Sequence, residues 1–149
     1  MKRFRHSFTV DAEIERLWKF YTDIKHLEVI SPPSIELAMV RTTHQQLEAG
    51  SEVWLTGKLL LRSSWHSRIT SLSRYEYVDE MISGRFRVWR HVHKFRILGN
   101  ERTEVVDEIE FELRYGLIGR LFEGYVLQQL EKVFAHRKAA TISAFNSAR

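Results

Sequence analysis

Hydrophobic side chains recur along this chain with two different periods, and the changes of period divide it into elements. At the start, Phe4, His6, Phe8 and Val10 alternate with Arg3, Arg5, Ser7 and Thr9, the period of a strand with one buried face. Asp11 then offers a helix N-cap. Ile14, Leu17, Trp18 and Tyr21 follow at the spacing of a single helix face. Ile24, Leu27 and Ile30 extend that spacing into a second short helical stretch, which Pro32 and Pro33 stop, because proline lacks an amide donor and restricts the residue before it.

From Ile35 onward the period is two. Ile35, Leu37 and Met39 alternate with polar neighbours, and Ala49-Gly50-Ser51 marks a turn. Val53, Leu55, Leu59 and Leu61 share a parity, and Trp65 with Ile69 opens the next ladder. Further strands are predicted over residues 75–81, 86–98 and 103–113, separated by Ser83-Gly84 and Gly99-Asn100. Successive strands with short turns predict an antiparallel meander. The last element is a helix over about residues 118–146, roughly 40 Å long at 1.5 Å per residue. Its apolar stripe reads Phe122, Val126, Leu130, Val133, Ala140 and Ala144, with Glu131, Lys132 and Lys138 off the stripe. A helix this long with one apolar side needs a partner, and the sheet supplies it. The expected fold is therefore α+β: six to seven antiparallel strands wrapped around a long C-terminal helix, with two short helices after the first strand. The whole chain, 1–149, reads as one domain.

Composition narrows this picture without redirecting it. A chain of 149 residues that is 44% hydrophobic and 28% charged has the make-up of a folded domain. It contains no cysteine, which removes disulfides, thiolate zinc sites and thiol nucleophiles together. The basic opening of Lys2, Arg3 and Arg5 is followed by Asp11, Glu13 and Glu15 rather than by an apolar run, so it does not read as a secretory signal. No apolar run reaches the ~20 residues of a membrane span. A cytoplasmic location is the expectation. The net charge of +4 arises from 23 basic and 19 acidic residues that are interspersed, so no nucleic-acid reader is expected.

Candidate chemistry concentrates where strand parity forces ionisable groups inward. Over residues 87–97 the odd positions are Arg87, Trp89, His91, His93, Phe95 and Ile97, whereas the even ones include the cations Arg90, Lys94 and Arg96. Side chains alternate faces along a strand, so the three-cation face is the wet one and both histidines point inside. In the next strand, Glu104, Glu108, Glu110 and Glu112 share the wet face, which turns Asp107 inward with Thr103, Val105, Ile109 and Phe111. Tyr75, Tyr77, Asp79 and Met81 share a parity in the preceding strand, and Arg137 falls within the helix stripe. Buried ionisable groups need partners. His91, His93, Asp107 and Arg137, joined by Asp79 and Arg87, supply them to one another, with Arg137 reaching Asp107 first and Asp79 as its second choice. His6, beside Phe4 and Phe8, reads as a satisfied core residue.

Several stretches resemble the helix-grip superfamily, also called SRPBCC, which includes the START domains, the major pollen allergens and the polyketide cyclase/dehydrase proteins. They are Pro32-Pro33, Trp65-x-x-x-Ile69, Asp79 with Gly84-x-Phe86, and Trp89-x-His91-x-His93-x-Phe95. Thr103-x-Val105-x-Asp107, Gly116-x-x-Gly119 and Phe134-x-x-Arg137 complete the set. The resemblance extends over essentially the whole chain, and within the superfamily it is greatest to a bacterial ligand-binding branch. Arg85 and Arg114 depart from that branch, where prolines are expected, and bear on local loop geometry.

The resemblance implies a START-like protein that binds a small hydrophobic or amphipathic molecule in a cavity between the sheet and the C-terminal helix. Trp65, Tyr77, Trp89 and Phe95 would form apolar walls, with His91, His93, Asp107 and Arg137 fixing a polar head group. An alternative is a polyketide cyclase/dehydrase-type or isomerase enzyme in the same pocket. In it His91 or His93, tuned by Asp107, would act as general acid or base while Arg137 steadies an enolate. A second alternative is a non-catalytic interaction module. No cofactor is implied. His91-x-His93 with Asp107 as a third ligand is a weak metal pattern, and the stronger expectation is one histidine bonded to Asp107 and the other to a ligand, water or backbone. The sequence carries no expectation about oligomeric state.

Overall fold

In a computed structural model, which describes residues 1–59 and 61–147, the alternating segments pair as the short turns require. Among the described residues, β1 (Lys2–Val10), β2 (Ala38–Thr42), β3 (Glu52–Lys58), β4 (Arg62–Ser73), β5 (Glu76–Ser83), β6 (Phe86–Gly99) and β7 (Arg102–Leu113) form one antiparallel sheet. Its order is β1-β7-β6-β5-β4-β3-β2. Five consecutive hairpins thus run from β2 to β7, and β1 closes against the last strand. The helices are α1 (Ile14–Thr22) and α2 (Gly116–Ser147), the latter 32 residues long and lying against β1 and β7.

Several local expectations are corrected. The N-cap of α1 is Glu13 rather than Asp11, and the second helical stretch is only a 3-10 turn, Ile24–His26, with Ile24 and Ile30 buried as the spacing required. Pro33 begins a further 3-10 turn, Pro33–Ile35, so Ile35 and Leu37 precede β2 instead of lying in it. β3 ends at Lys58, before Leu59 and Leu61, and Leu61 is exposed. β5 starts at Glu76, because Tyr75 takes positive φ in the turn from β4.

The stripe of α2 is rotated from the expected one. The buried positions are Gly119, Glu123, Val126, Leu130, Phe134, Arg137, Thr141 and Phe145, spaced 4, 3, 4, 4, 3, 4 and 4 apart. Phe122 is 50% exposed, together with Leu117, Ile118 and Leu121, and Val133, Ala140 and Ala144 are half-buried on the flank. The larger rings decide the rotation: Phe134 packs on Phe4 and His6, and Phe145 on Phe20. Lys132 and Lys138 are exposed as expected.

The entry into α2 depends on two glycines. Gly116 has φ +54°, a left-handed conformation that suits glycine. At Gly119 a Cβ would lie 2.3 Å from the Arg114 carbonyl oxygen, so a side chain there would push the helix off the end of β7. The two arginines found in place of proline tie this corner together. Arg114 Nε donates to the Gly84 carbonyl at 2.9 Å, and the Arg114 amide donates to the Arg85 carbonyl at 3.4 Å.

Two apolar clusters fill the space between sheet and helix. One gathers Phe8, Leu17, Tyr21, Tyr77, Phe95, Val105 and Phe145, and the other Phe86, Trp89, Ile109, Phe111, Val126, Leu130 and Phe134. On the inward face of the elements that cross from one cluster to the other, the residues between them are polar: His6 on β1, Ser67 on β4, Asp79 on β5, His91 and His93 on β6, Asp107 on β7, and Arg137 with Thr141 on α2. A polar layer therefore crosses the core.

Candidate functional site

Strand register assembles this layer. Asp79 stands opposite His91, Tyr77 opposite His93, and His93 opposite Asp107. The short hydrogen bonds run diagonally: His91 Nε2 to Asp107 Oδ1 and His93 Nε2 to Asp79 Oδ2, each 2.7 Å. The directly opposed pairs are looser, with His91 Nδ1 3.6 Å from Asp79 Oδ2 and His93 Nδ1 3.4 Å from Asp107 Oδ1. The two imidazoles stack at 3.6 Å between centroids, and Tyr77 stacks on the outer face of His93 at 4.0 Å.

Arg137 enters from α2. Its Nη2 lies 3.6 Å from Asp107 Oδ1 and 3.3 Å from His93 Nδ1, with its guanidinium carbon 4.9 Å from the Tyr21 ring. The expected Arg137–Asp107 pair thus forms, but as one long contact instead of a two-pronged fork. Asp107 Oδ2 and Arg137 Nε keep no hydrogen-bond partner. A guanidinium can only donate, so His93 Nδ1 is an acceptor and its proton sits on Nε2, donated to Asp79. Tyr21 completes the far side, its hydroxyl 2.6 Å from Thr141 Oγ1.

Burial and charge act in opposition on these groups. Burial pushes the Asp107 carboxyl up, but the Arg137 guanidinium and the hydrogen bond from His91 outweigh it and hold the group well below the usual carboxylate range. Asp79 is likewise pushed up by burial and brought below its ordinary value, chiefly by the His93 hydrogen bond. Burial and the adjacent His93 ring lower His91 to about 4, against the pull of the Asp107 hydrogen bond, so it is neutral near pH 7. Burial lowers His6 as well; its Nδ1 has no hydrogen-bond partner, so it is not the satisfied residue expected.

A cavity of about 200 Å³ opens beside this layer, between β3–β6 and α2. Trp65, Tyr77, Trp89, His91, His93 and Arg137 line it, and so does Asp79. Phe95 and Asp107 do not. Phe95 is buried against Trp18 and Tyr21, and Asp107 stands behind the histidines with 1% of its side chain exposed. Arg87 lies outside altogether, paired with Glu112 at 3.4 Å. A register shift between Phe86 and Val88 reverses the alternation there and turns Phe86 inward. Ile97, near the end of β6, is exposed instead of inward. The remaining parity expectations hold: Trp89, His91, His93 and Phe95 are buried, Arg90 is exposed, and Lys94 and Glu108 are partly exposed on the outer face.

Asp79, His91 and His93 offer ligand atoms within 4.8 Å of one another, so Asp79, and not Asp107 as expected, is the third member of a metal pattern. The Arg137 cation sits one ring away, against His93 Nδ1. The central role of Asp79 and the contacts of Tyr21 and Thr141 were the parts least visible in the sequence. The parity of Asp79 with Tyr77 and its place in the resemblance beside Gly84-x-Phe86 were the indications available.

Known proteins agree with this architecture. The solved structure of a START superfamily protein from Mycobacterium smegmatis superposes with a TM-score of 0.76 at 11% identity, covering 99% of both chains. The Zhui aromatase/cyclase from Streptomyces sp. R1128 gives 0.68 at 18% identity over 96% of this chain and 90% of its own. Truncated norcoclaurine synthase from Thalictrum flavum gives 0.70 at 14% identity over 91% and 89%. At such identities the likeness is one of fold, the helix-grip arrangement of sheet and long C-terminal helix. No curated protein sequence matches significantly. Among the described residues no helix is long and apolar enough to cross a membrane. The family model for polyketide cyclase / dehydrase and lipid transport matches residues 10–136, the stretch from the end of β1 to the residue before Arg137, and the chain belongs to that family.

Proposed function

We propose that this protein binds a small hydrophobic or amphipathic molecule in the cavity between sheet and helix. The observation that carries this reading is the asymmetry of the lining: Trp65, Trp89, Leu130 and Phe134 make an apolar wall, while Asp79, His91, His93 and Arg137 converge at one end. An apolar pocket with a few convergent polar groups is the usual form of a small-molecule site. Trp65 and Trp89, 4.9 Å apart in an edge-to-face pair, would flank the apolar part of the ligand. Asp107 and Phe95 support the site from behind. Native mass spectrometry of protein purified without added ligand tests this: a bound mass lost on denaturation is expected. Trp89→Ala, which removes a wall ring, should weaken retention. Apoprotein alone, with no quenching of tryptophan fluorescence by any amphipathic probe, would count against the cavity as a binding site.

The second reading is an enzyme of the cyclase or dehydrase type in the same cavity. It is favoured by His93, an imidazole on the cavity wall oriented by Asp79 as a general base is oriented by a carboxylate. Turnover of a polyketide-like substrate that His93→Ala abolishes, while binding persists, would establish it.

A further inference from the structure

We infer that the polar end of the cavity is built for a cationic head group, a protonated amine, held on the carboxylate of Asp79. This rests on the proposed role of the cavity as a binding site and names the class of ligand it takes.

The charge of the layer is the first argument. Among the described residues, two carboxylates, Asp79 and Asp107, face a single guanidinium, Arg137. The histidines do not make up the difference: His93 accepts a hydrogen bond from Arg137 on Nδ1 and donates through Nε2 to Asp79. His91 spends its Nε2 on Asp107 at 2.7 Å, and its Nδ1 stays 3.6 Å from Asp79, beyond hydrogen-bond distance. Arg137 is committed to Asp107, its first electrostatic partner. One negative charge is left without a partner in a low-dielectric region, where an unpaired charge is costly.

Geometry places that charge on the cavity surface. Asp107 is behind the imidazoles, whereas the Asp79 side chain is 20% exposed and lines the cavity. Both of its imidazole contacts use Oδ2, which leaves Oδ1 to accept from a ligand. Tyr77 and Trp89 stand in the same wall, and aromatic faces add to the attraction of a desolvated cation. The other cations of the lining lie at the opposite end. Arg85 follows Asp79 by six residues, past the end of β5 at Ser83, so it lies more than about 13 Å along the strand direction at ~3.3 Å per residue. Lys58, at the end of β3, is on that side too. The cavity is therefore polarised, negative at its inner end and positive towards Arg85.

Calorimetric titration of the full chain with n-octylamine, n-octanol and n-octanoate at about pH 7.5 tests the inference, since the amine is protonated there. The amine should bind about tenfold more tightly than the alcohol, because only the ammonium adds a full positive charge to the hydrogen bond on the buried carboxylate, and octanoate should bind most weakly. Asp79→Asn should weaken the amine about tenfold and the alcohol by clearly less. The wild-type ranking is read without any variant, so a failure of Asp79→Asn to fold does not remove the test. Octanoate binding as tightly as the amine, or an amine affinity indifferent to Asp79→Asn, overturns the inference while leaving the cavity a binding site. Zn²⁺ that binds and excludes the amine also overturns it, in favour of a metal centre. Failure of all three probes to bind defeats the underlying reading instead.

Discussion

The two faces of β6 and β7 carry the same kinds of side chain and treat them in opposite ways. On the outer face Arg5–Glu108, Lys94–Glu108, Arg96–Glu104 and Arg87–Glu112 pair at 3.3–3.8 Å, all with water on at least one side. One residue along each strand, on the inner face, His91, His93 and Asp107 are all but closed off from water, and each has specific partners. The outer charges need no particular partner, because solvent screens them; Val78, Val92 and Val106, of the same parity, are nevertheless buried. The inner charges have given up hydration and depend on their neighbours. Identical chemistry at adjacent positions therefore has different energetic consequences, and substitution should separate the two.

The largest effect is expected at Arg137. Arg137→Ala leaves Asp107 buried without its cation and should cost about 3–5 kcal/mol in urea unfolding. Arg137→Met combined with Asp107→Asn should recover much of that loss. Strictly additive losses in the double-mutant cycle would show that the 3.6 Å contact carries no coupling, and would erase the contrast between the faces.

An apolar control from the same helix comes next. Leu130 is 2% exposed, so Leu130→Ala should cost about 2–5 kcal/mol through lost burial and the cavity left behind. A change under about half a kcal/mol would mean that α2 is not docked on the sheet through this face.

Acidification sharpens the comparison in a different way. His91 has a folded-state value near 4, below its ordinary 6.5. The unfolded chain therefore binds more protons between those limits, and stability falls as pH drops through that window. Between about pH 7.5 and 5 the loss should be about 2 kcal/mol, and His91→Gln should flatten the profile. A wild-type stability that does not change over this range would place His91 in water. The depressed carboxyls of Asp79 and Asp107 add a further loss only at lower pH, as each is protonated below the ordinary range.

The smallest effects belong to the outer face. Arg3 pairs with Glu110 at 3.2 Å but is 82% exposed, and Arg3→Ala should change stability by less than about 1 kcal/mol, less still in high salt. A loss comparable to that at Arg137 would mean that exposure does not divide the two sets of charges.

Most of the inner face was legible in the sequence because parity is a local property. Four glutamates on alternate positions of β7 assign Asp107 to the other face whatever its partners are. The same rule fails at Arg87, where a bulge after Phe86 shifts the alternation by one residue; such an irregularity has no signature in hydrophobic pattern. On α2 the stripe was displaced for a related reason. Val133 and Ala140 fit the helical period as well as Phe134 and Thr141 do, and the choice falls to which side chains the sheet can accommodate. Phe134 finds Phe4, His6 and His91 in contact, and these come from two other strands.

What the sequence determined by itself, then, is the set of elements, the antiparallel order and the inward direction of His91, His93, Asp107 and Arg137, because each follows from periods of two and of 3.6 read over neighbouring residues. Which group bonds to which follows from how the elements pack. The diagonal His91–Asp107 and His93–Asp79 bonds depend on the relative register of β5, β6 and β7, and the position of Arg137 depends on how α2 is rotated over them. Register and rotation are set by the packing of the whole core at once. For the same reason Asp79, and not Asp107, is the carboxylate that faces the cavity.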